Sequence, residues 1–261
     1  INMKKREIPL FEFDSCQTAF INPSNDFADQ QIPILDAKVG VICFFKDAID
    51  KYLEENECKE IMIVKTESNK IPVYLDVKKN VILLQGCVGA PLAACEVEAL
   101  NYLGVKKIIT CGGAGVLNDI ALGHLMIPIS AIRDEGTSYH YSEASYEIAP
   151  DLDLTNQVKV LLSEKQLPYI EGKTWTTDAP YRETKEKVNL RRSQGCICVE
   201  MECSAFFAVG QFRNVAITSV LFSGDSLHSE EWDYRSWNKQ TDIRYKLLQN
   251  IMDIAFEISV M

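Results

Sequence analysis

Four short segments of the chain carry groups that could do chemistry. Glu200-Met201-Glu202 sets two carboxylates around a thioether. A carboxylate there can accept hydrogen bonds from two neighbouring hydroxyls, and the soft sulfur can pack on a sugar face. Glu202 reads equally well as a cap for a following helix. Asp225, in Ser223-Gly224-Asp225-Ser226, closes a long apolar run, a position from which a carboxyl can pass a proton to a leaving group. In such a tetrapeptide an aspartate is also an ordinary turn residue. Gly86-Cys87-Val88-Gly89-Ala90 and Gly112-Gly113-Ala114-Gly115 could bring backbone N–H groups up to an anion. Neither has Walker A or dinucleotide spacing, and each is equally consistent with a tight turn.

These segments share a location if each ends a strand of one sheet. Residues 39–45 and 61–64 read as strands around a helix at 46–55. Residues 81–85 form a buried strand, Pro91 suits a helix start, 92–103 is helical up to Gly104, and 105–111 is the next strand. The 81–111 stretch is therefore a βαβ unit with parallel strands. Strands follow at 123–131, 195–199 and 215–223, with a helix at 202–211 and a closing helix at 237–258. The apolar strands lack alternation, as expected when helices cover both faces. The expected fold is α/β: one three-layer domain over residues 1–261, with a central, mostly parallel, mixed sheet flanked by helices. In such sheets ligands bind beyond the carboxyl ends of the strands, where all four segments fall.

Composition narrows the function classes. Hydrophobic residues make up 47% and charged residues 25% of 261, an ordinary globular balance with no run long enough to span a membrane. The basic opening at 1–7 lacks an apolar core, so no secretory signal is expected there and the location is expected to be cytoplasmic. The nine cysteines are odd in number and mostly lie in apolar runs (Cys43, Cys87, Cys95, Cys111, Cys196, Cys198), which fits free thiols in a reducing compartment. Cys196 and Cys198 would alternate faces of a strand, so no metal site is expected. A net charge of −10 with only short groups of Lys and Arg disfavours nucleic acid.

The ordered succession of Gly86-x-x-Gly89-x-Pro91 with Glu98, the glycines at 112–115, Gly136-Thr137-Ser138-Tyr139-His140-Tyr141, Glu200-Met201-Glu202 and Ser223-Gly224-Asp225 resembles the nucleoside phosphorylase family. That family includes purine nucleoside phosphorylase, uridine phosphorylase and the methylthioadenosine/S-adenosylhomocysteine nucleosidases. The resemblance runs from about Val81 to Asp225. It implies cleavage of an N-glycosidic bond, with Glu202 and Met201 holding the ribose and Asp225 protonating or hydrogen-bonding the leaving base. By the same resemblance His140 lies near the ribose, Trp175 and Tyr181 stack on base or sugar, and Gly86, Gly112 and Gly113 border inorganic phosphate as co-substrate. It also implies a homo-oligomer, dimer or hexamer, and no cofactor.

Two departures qualify this. Uracil-reading members carry a Gln-x-Arg pair where this chain has Arg182-Glu183-Thr184-Lys185-Glu186, which together with Asp225 favours a purine. Phosphorolytic members carry a Gly-Asp-Pro-x-Arg loop, absent here, and an arginine where Thr110 stands; Gly113 replaces a hydroxyl residue. Loss of guanidinium groups weakens phosphate binding, unless Arg133, Arg182 or a neighbouring subunit supplies one. Three readings stand at this stage: a purine-type nucleoside phosphorylase, favoured; a nucleosidase using water; and a catalytically silent nucleoside-binding protein.

Overall fold

The computed structural model describes residues 6–261; residues 1–5, which belong to the expected 1–261 domain and its basic opening, lie outside the described residues. The strands are β1 (Val39–Cys43), β2 (Cys58–Lys65), β3 (Lys70–Asp76), β4 (Val81–Gln85), β5 (Lys107–Val116), β6 (Leu125–Asp134), β7 (Glu147–Ile148), β8 (Tyr169–Thr177), β9 (Cys196–Glu200) and β10 (Ala216–Ser226). The helices are α1 (Pro23–Asp26), α2 (Lys46–Glu55), α3 (Ala90–Tyr102), α4 (Leu152–Glu164), α5 (Lys185–Ser193), α6 (Cys203–Arg213) and α7 (Thr241–Val260).

All these strands join one mixed sheet in the order β10-β6-β8-β9-β5-β1-β4-β3-β2, with β7 on β6. β5 also pairs with β10, which closes β10, β6, β8, β9 and β5 into a ring. The period-two geometry of a strand sends alternate side chains to opposite faces. On β1 and β4, Ile42, Ile82 and Leu84 enter one apolar cluster with α3 and α6. Val39, Val41, Cys43, Val81 and Leu83 enter another with α2, α4 and α7. Both faces are thus covered, which is why these strands are apolar throughout. No helix among the described residues is long and apolar enough to cross a membrane.

Two sequence expectations change. The 81–111 stretch gives parallel strands, but β1 lies between β4 and β5 and pairs with both. The glycines at 112–115 are not a turn: β5 continues through them to Val116. There β5 leaves β1, and Gly115 and Val116 pair with Val199 and Cys198 of β9. A Cβ at Gly115 would lie 2.8 Å from Leu227, so the bare backbone permits this switch of partner. Sequence reading also passed over α4, α5 and β8. β8 hides because its buried side chains include Thr174, Thr176 and Thr177 rather than an apolar run.

Candidate active site

Beyond the ends of β5, β9 and β10 lies a cavity of about 410 Å³. It is lined by Gly113, Ala114 and Gly115 of β5, Val199, Glu200 and Met201 at the end of β9, and Asp225 of β10. Pro180, Tyr181 and Glu183, and the segment carrying Leu227, Trp232 and Trp237, complete the wall. Glycines on β5 leave room for this wall: a Cβ at Gly113 would meet Phe222 at 3.0 Å and Trp237 at 3.3 Å. Among the described residues the charged side chains of the lining are Glu183, Glu200 and Asp225, all carboxylates.

The two glutamates of Glu200-Met201-Glu202 divide their roles in an unexpected way. Glu200 Oε1 accepts from the Oγ1 hydroxyls of Thr174 (3.1 Å) and Thr176 (2.6 Å). Its Oε2 accepts from the backbone N–H of Glu202 (2.7 Å) and Cys203 (2.6 Å) at the start of α6. The helix-capping work expected of Glu202 is therefore done by Glu200, whose carboxylate also ties β8 to β9. Glu202, freed from capping, turns toward α3: Oε1 accepts from Gly89 N–H at 2.7 Å and Oε2 from Met201 N–H at 3.3 Å. Burial, followed by the charge of Glu200, pushes the Glu202 carboxyl up to about 8.

Asp225 Oδ2 accepts from the indole Nε1–H of Trp232 at 2.6 Å. Glu183 faces the same cavity, and burial together with the charge of Asp225 raises its carboxyl to about 7. Met201 and Tyr181 line the cavity, Tyr181 at its mouth and almost fully exposed.

Trp175 does not line it. It is fully buried among Leu117, Ile132, Val188, Cys196 and Val199, with Nε1–H on Asp134 at 2.9 Å. β8 points this ring away from the cavity, so its role is packing. His140, at the end of the turn Thr137–His140, is exposed and outside the lining.

Phe44 packs against two of the three glycines expected beside phosphate. A Cβ at Gly86 would sit 2.9 Å from the Phe44 ring, and one at Gly112 would sit 3.0 Å from it. These two glycines admit Phe44 rather than an anion. Three N–H groups of the 86–90 turn have protein partners: Gly86 donates to Cys43 O (2.8 Å), Cys87 to Glu96 Oε1 (2.7 Å) and Gly89 to Glu202 Oε1 (2.7 Å). Gly89, at φ +109°, starts α3, so the positive end of that helix already faces a carboxyl. Thr110 is buried and donates to Ser219 Oγ at 2.7 Å. Arg133 is buried too, spending its guanidinium on Ser138 Oγ, Glu143 O and Ser145 Oγ. Arg182 is exposed and outside the lining. Gly113 alone of the three candidate phosphate glycines borders the cavity. Among the described residues no cluster of three or more His, Cys, Asp or Glu side chains could hold a metal.

What sequence reading missed is Glu183, Glu200 as the capping group, and the tryptophans Trp232 and Trp237. The signal for Glu183 was present as a departure, an acid where a uracil-reading pair would stand. Trp232 carried none, because it lies in an irregular segment after β10, and Trp237, expected at the start of the closing helix, instead opens a short 3-10 turn (Trp237–Lys239) before α7.

Comparison with known proteins gives a consistent picture. The sequence model of the phosphorylase superfamily matches residues 38–257. A guanosine phosphorylase of Halorubrum lacusprofundi is 30% identical over 134 residues, covering 51% of this chain and 56% of that protein's length. In fold, the uridine phosphorylase of Vibrio fischeri ES114 superposes with a TM-score of 0.68 at 22% identity, covering 88% of this chain and 93% of the other. The 5′-methylthioadenosine/S-adenosyl homocysteine nucleosidase of Campylobacter jejuni does so at 0.69 and 15% identity, covering 85% and 99%.

Proposed function

The chain belongs to the phosphorylase superfamily, and from that premise we propose that it cleaves the N-glycosidic bond of a purine nucleoside with water as the nucleophile. The observation that carries this reading is the packing at the glycines expected beside phosphate: Phe44 covers Gly86 and Gly112, and Glu96 and Glu202 take the N–H groups of Cys87 and Gly89. A phosphate dianion brought to this cavity would also meet Glu183, Glu200 and Asp225 with no cation among the described lining residues. Glu183 and Glu200, the lining carboxylates that do not serve as the proton donor, favour an oxocarbenium-like sugar, which is positive, so electrostatics that disfavour phosphate assist bond cleavage.

In the proposed reaction the C1′–N bond breaks and its electron pair goes to the base. Asp225 passes a proton to the base, assistance worth about 10² to 10⁴ in rate. The oxygen of water bonds to C1′, and the proton released from that water goes to a cavity carboxylate. Glu202, next to Met201 but outside the lining, would accept the ribose hydroxyls through Oε2 while Oε1 stays on Gly89, with Met201 packed on the sugar. The scheme calls for no metal or organic cofactor.

Phosphorolysis remains the second reading, favoured by the names of several relatives, the guanosine and uridine phosphorylases among them. It needs an anion-binding group from a partner subunit of the homo-oligomer that the family resemblance implies. The test is release of free base from a nucleoside panel with and without phosphate. Equal release in both, with free ribose as co-product, is expected. Strict phosphate dependence with ribose 1-phosphate as product overturns the hydrolytic reading.

A further inference from the structure

β10 runs one residue past Asp225, to Ser226. Ser226 exchanges both backbone hydrogen bonds with Asp233, at 2.8 and 2.9 Å, so the chain turns back and pairs with its own strand end. Alternation on such a pair puts Ser226 and Asp233 on one face and Asp225, Leu227, Trp232 and Tyr234 on the other. Asp225, Leu227 and Trp232 accordingly all line the cavity, and the ring centroids of Trp232 and Tyr234 lie 5.5 Å apart. Trp232 is nevertheless 63% exposed, so burial does not account for where its indole lies. Backbone pairing brings the ring back to Asp225, and the bond from Nε1–H to Oδ2 at 2.6 Å fixes it there.

The two oxygens of Asp225 are thereby made unequal. Oδ2 is taken by the indole. Oδ1 stands over the cavity wall, 3.5 Å from the place a Cβ of Gly115 would occupy, and no other donor among the described residues bonds to this carboxyl. We propose that Trp232 is a positioning residue for proton transfer, holding Asp225 so that Oδ1 carries the proton to the leaving base. This rests on the proposed nucleoside cleavage with Asp225 as its acid, and it holds whether water or phosphate attacks C1′. In that step the proton leaves Oδ1 for a base nitrogen as the C1′–N electron pair moves into the base, and Asp225 becomes a carboxylate. A hydrogen bond from an N–H to a carboxylate is roughly twice as strong as one between neutral groups. The indole bond therefore tightens as the proton departs, a stabilisation gained in the transition state rather than in the resting site.

The experiment compares base release from guanosine and from 7-methylguanosine in the wild type and in Trp232→Phe, which keeps an aromatic ring and loses the donor. Phosphate is present, so that either nucleophile is available. The methylated base already carries a positive charge and leaves without a proton. Trp232→Phe is expected to lower kcat on guanosine about tenfold, with KM within about threefold of the wild type. On 7-methylguanosine, where no acid is called for, kcat should change by less than about twofold. Asp225→Asn should show the same split between the two substrates, and adding Trp232→Phe to it should cost nothing further on guanosine. No loss on guanosine, equal losses on both nucleosides, or additive losses in the double variant would overturn the proposal and leave the cleavage reading intact. An Asp225→Asn enzyme that treats both nucleosides alike removes Asp225 as the acid, and the role of Trp232 with it. Absence of base release in the wild type fails the cleavage reading itself, and this proposal along with it.

Discussion

Two glycine-rich strand ends lie a few residues from one another in space and have opposite fates. At the ends of β1, β4 and the middle of β5, Gly86 and Gly112 make room for a ring of the protein's own, Phe44, and the N–H groups of the neighbouring turn meet Glu96 and Glu202. Further along β5, Gly113 to Gly115 border an open cavity whose wall is aromatic and acidic. The same small residue therefore serves packing in one place and access in the other. Glycine removes a side chain, and the neighbours decide what enters the space. The first region has a phenylalanine within reach and carboxyls on two of its donors, which leaves less room there for an external anion. In the second the nearest side chains are held back by their own bonds: Glu200 on two threonines and the α6 terminus, Trp232 on Asp225.

The open region should be the sensitive one for turnover. Asp225→Asn is expected to lower kcat by about 10² to 10⁴ without loss of fold, because the amide keeps a hydrogen-bonding shape but has no acidic proton to give. Steady-state base release alongside circular dichroism checks this. A loss below tenfold would detach Asp225 from proton transfer.

The closed region should respond in stability instead. Phe44→Ala removes a half-buried ring from between two glycines and is expected to cost about 3 kcal/mol in urea unfolding, the low end for phenylalanine truncation. It should not make turnover phosphate-dependent, since the N–H groups of Cys87 and Gly89 stay on Glu96 and Glu202. Phosphate stimulation of that variant would show that the ring alone keeps the anion out.

A third test concerns the carboxyl that joins the two regions. Glu202 is raised by burial and by Glu200 to about 8, far above the ordinary glutamate value, so the folded state holds a proton that the unfolded chain has released. Its contribution to stability is full below the unfolded pKa of about 4.3 and is lost as pH rises through about 8, with a slope of up to about 1.4 kcal/mol per pH unit. Glu183, raised to about 7, acts with the same sign over a shorter window. Urea midpoints should fall from about pH 5 to about pH 8, and Glu202→Gln should flatten that fall. A wild-type midpoint that rises over this range would contradict the assignment. The smallest effect is expected at His140, exposed and outside the cavity: His140→Ala should change stability by less than about 0.5 kcal/mol. Its base-release rate should stay close to that of the wild type, and a large drop would place the residue at a site completed by another subunit.

Much of the fold was legible because apolar runs of strand length between amphipathic helices leave few alternatives. Helix 46–55 and strand 81–85 have the bounds read from sequence. β8 was not legible, since its burial is made tolerable by hydrogen bonds from Thr174 and Thr176 to a glutamate far along the chain. In the site, Met201, Asp225, Tyr181 and Gly113 could be placed from motif order and do line the cavity. Trp175 could not, because a strand residue's face depends on register, and register is a property of the partner strands. The fate of Gly86 and Gly112 was hidden for a similar reason: nothing in the glycines themselves records that Phe44 will lie across them.

The ring of strands that frames the cavity also sets when the site can come into being. β5 and β10 lie side by side, yet the hydroxyl bond between Thr110 and Ser219 spans 109 residues of chain. Contacts of such sequence separation form late, after the entropy of a long loop has been lost. During synthesis β5 must wait, apolar and lacking one neighbour, until β10 has emerged. A chain stopped before β10 would keep several helices but have neither Asp225 nor the edge that covers β5, and aggregation would be its expected fate. Binding competence and escape from misassembly thus arrive together, with the same late strand.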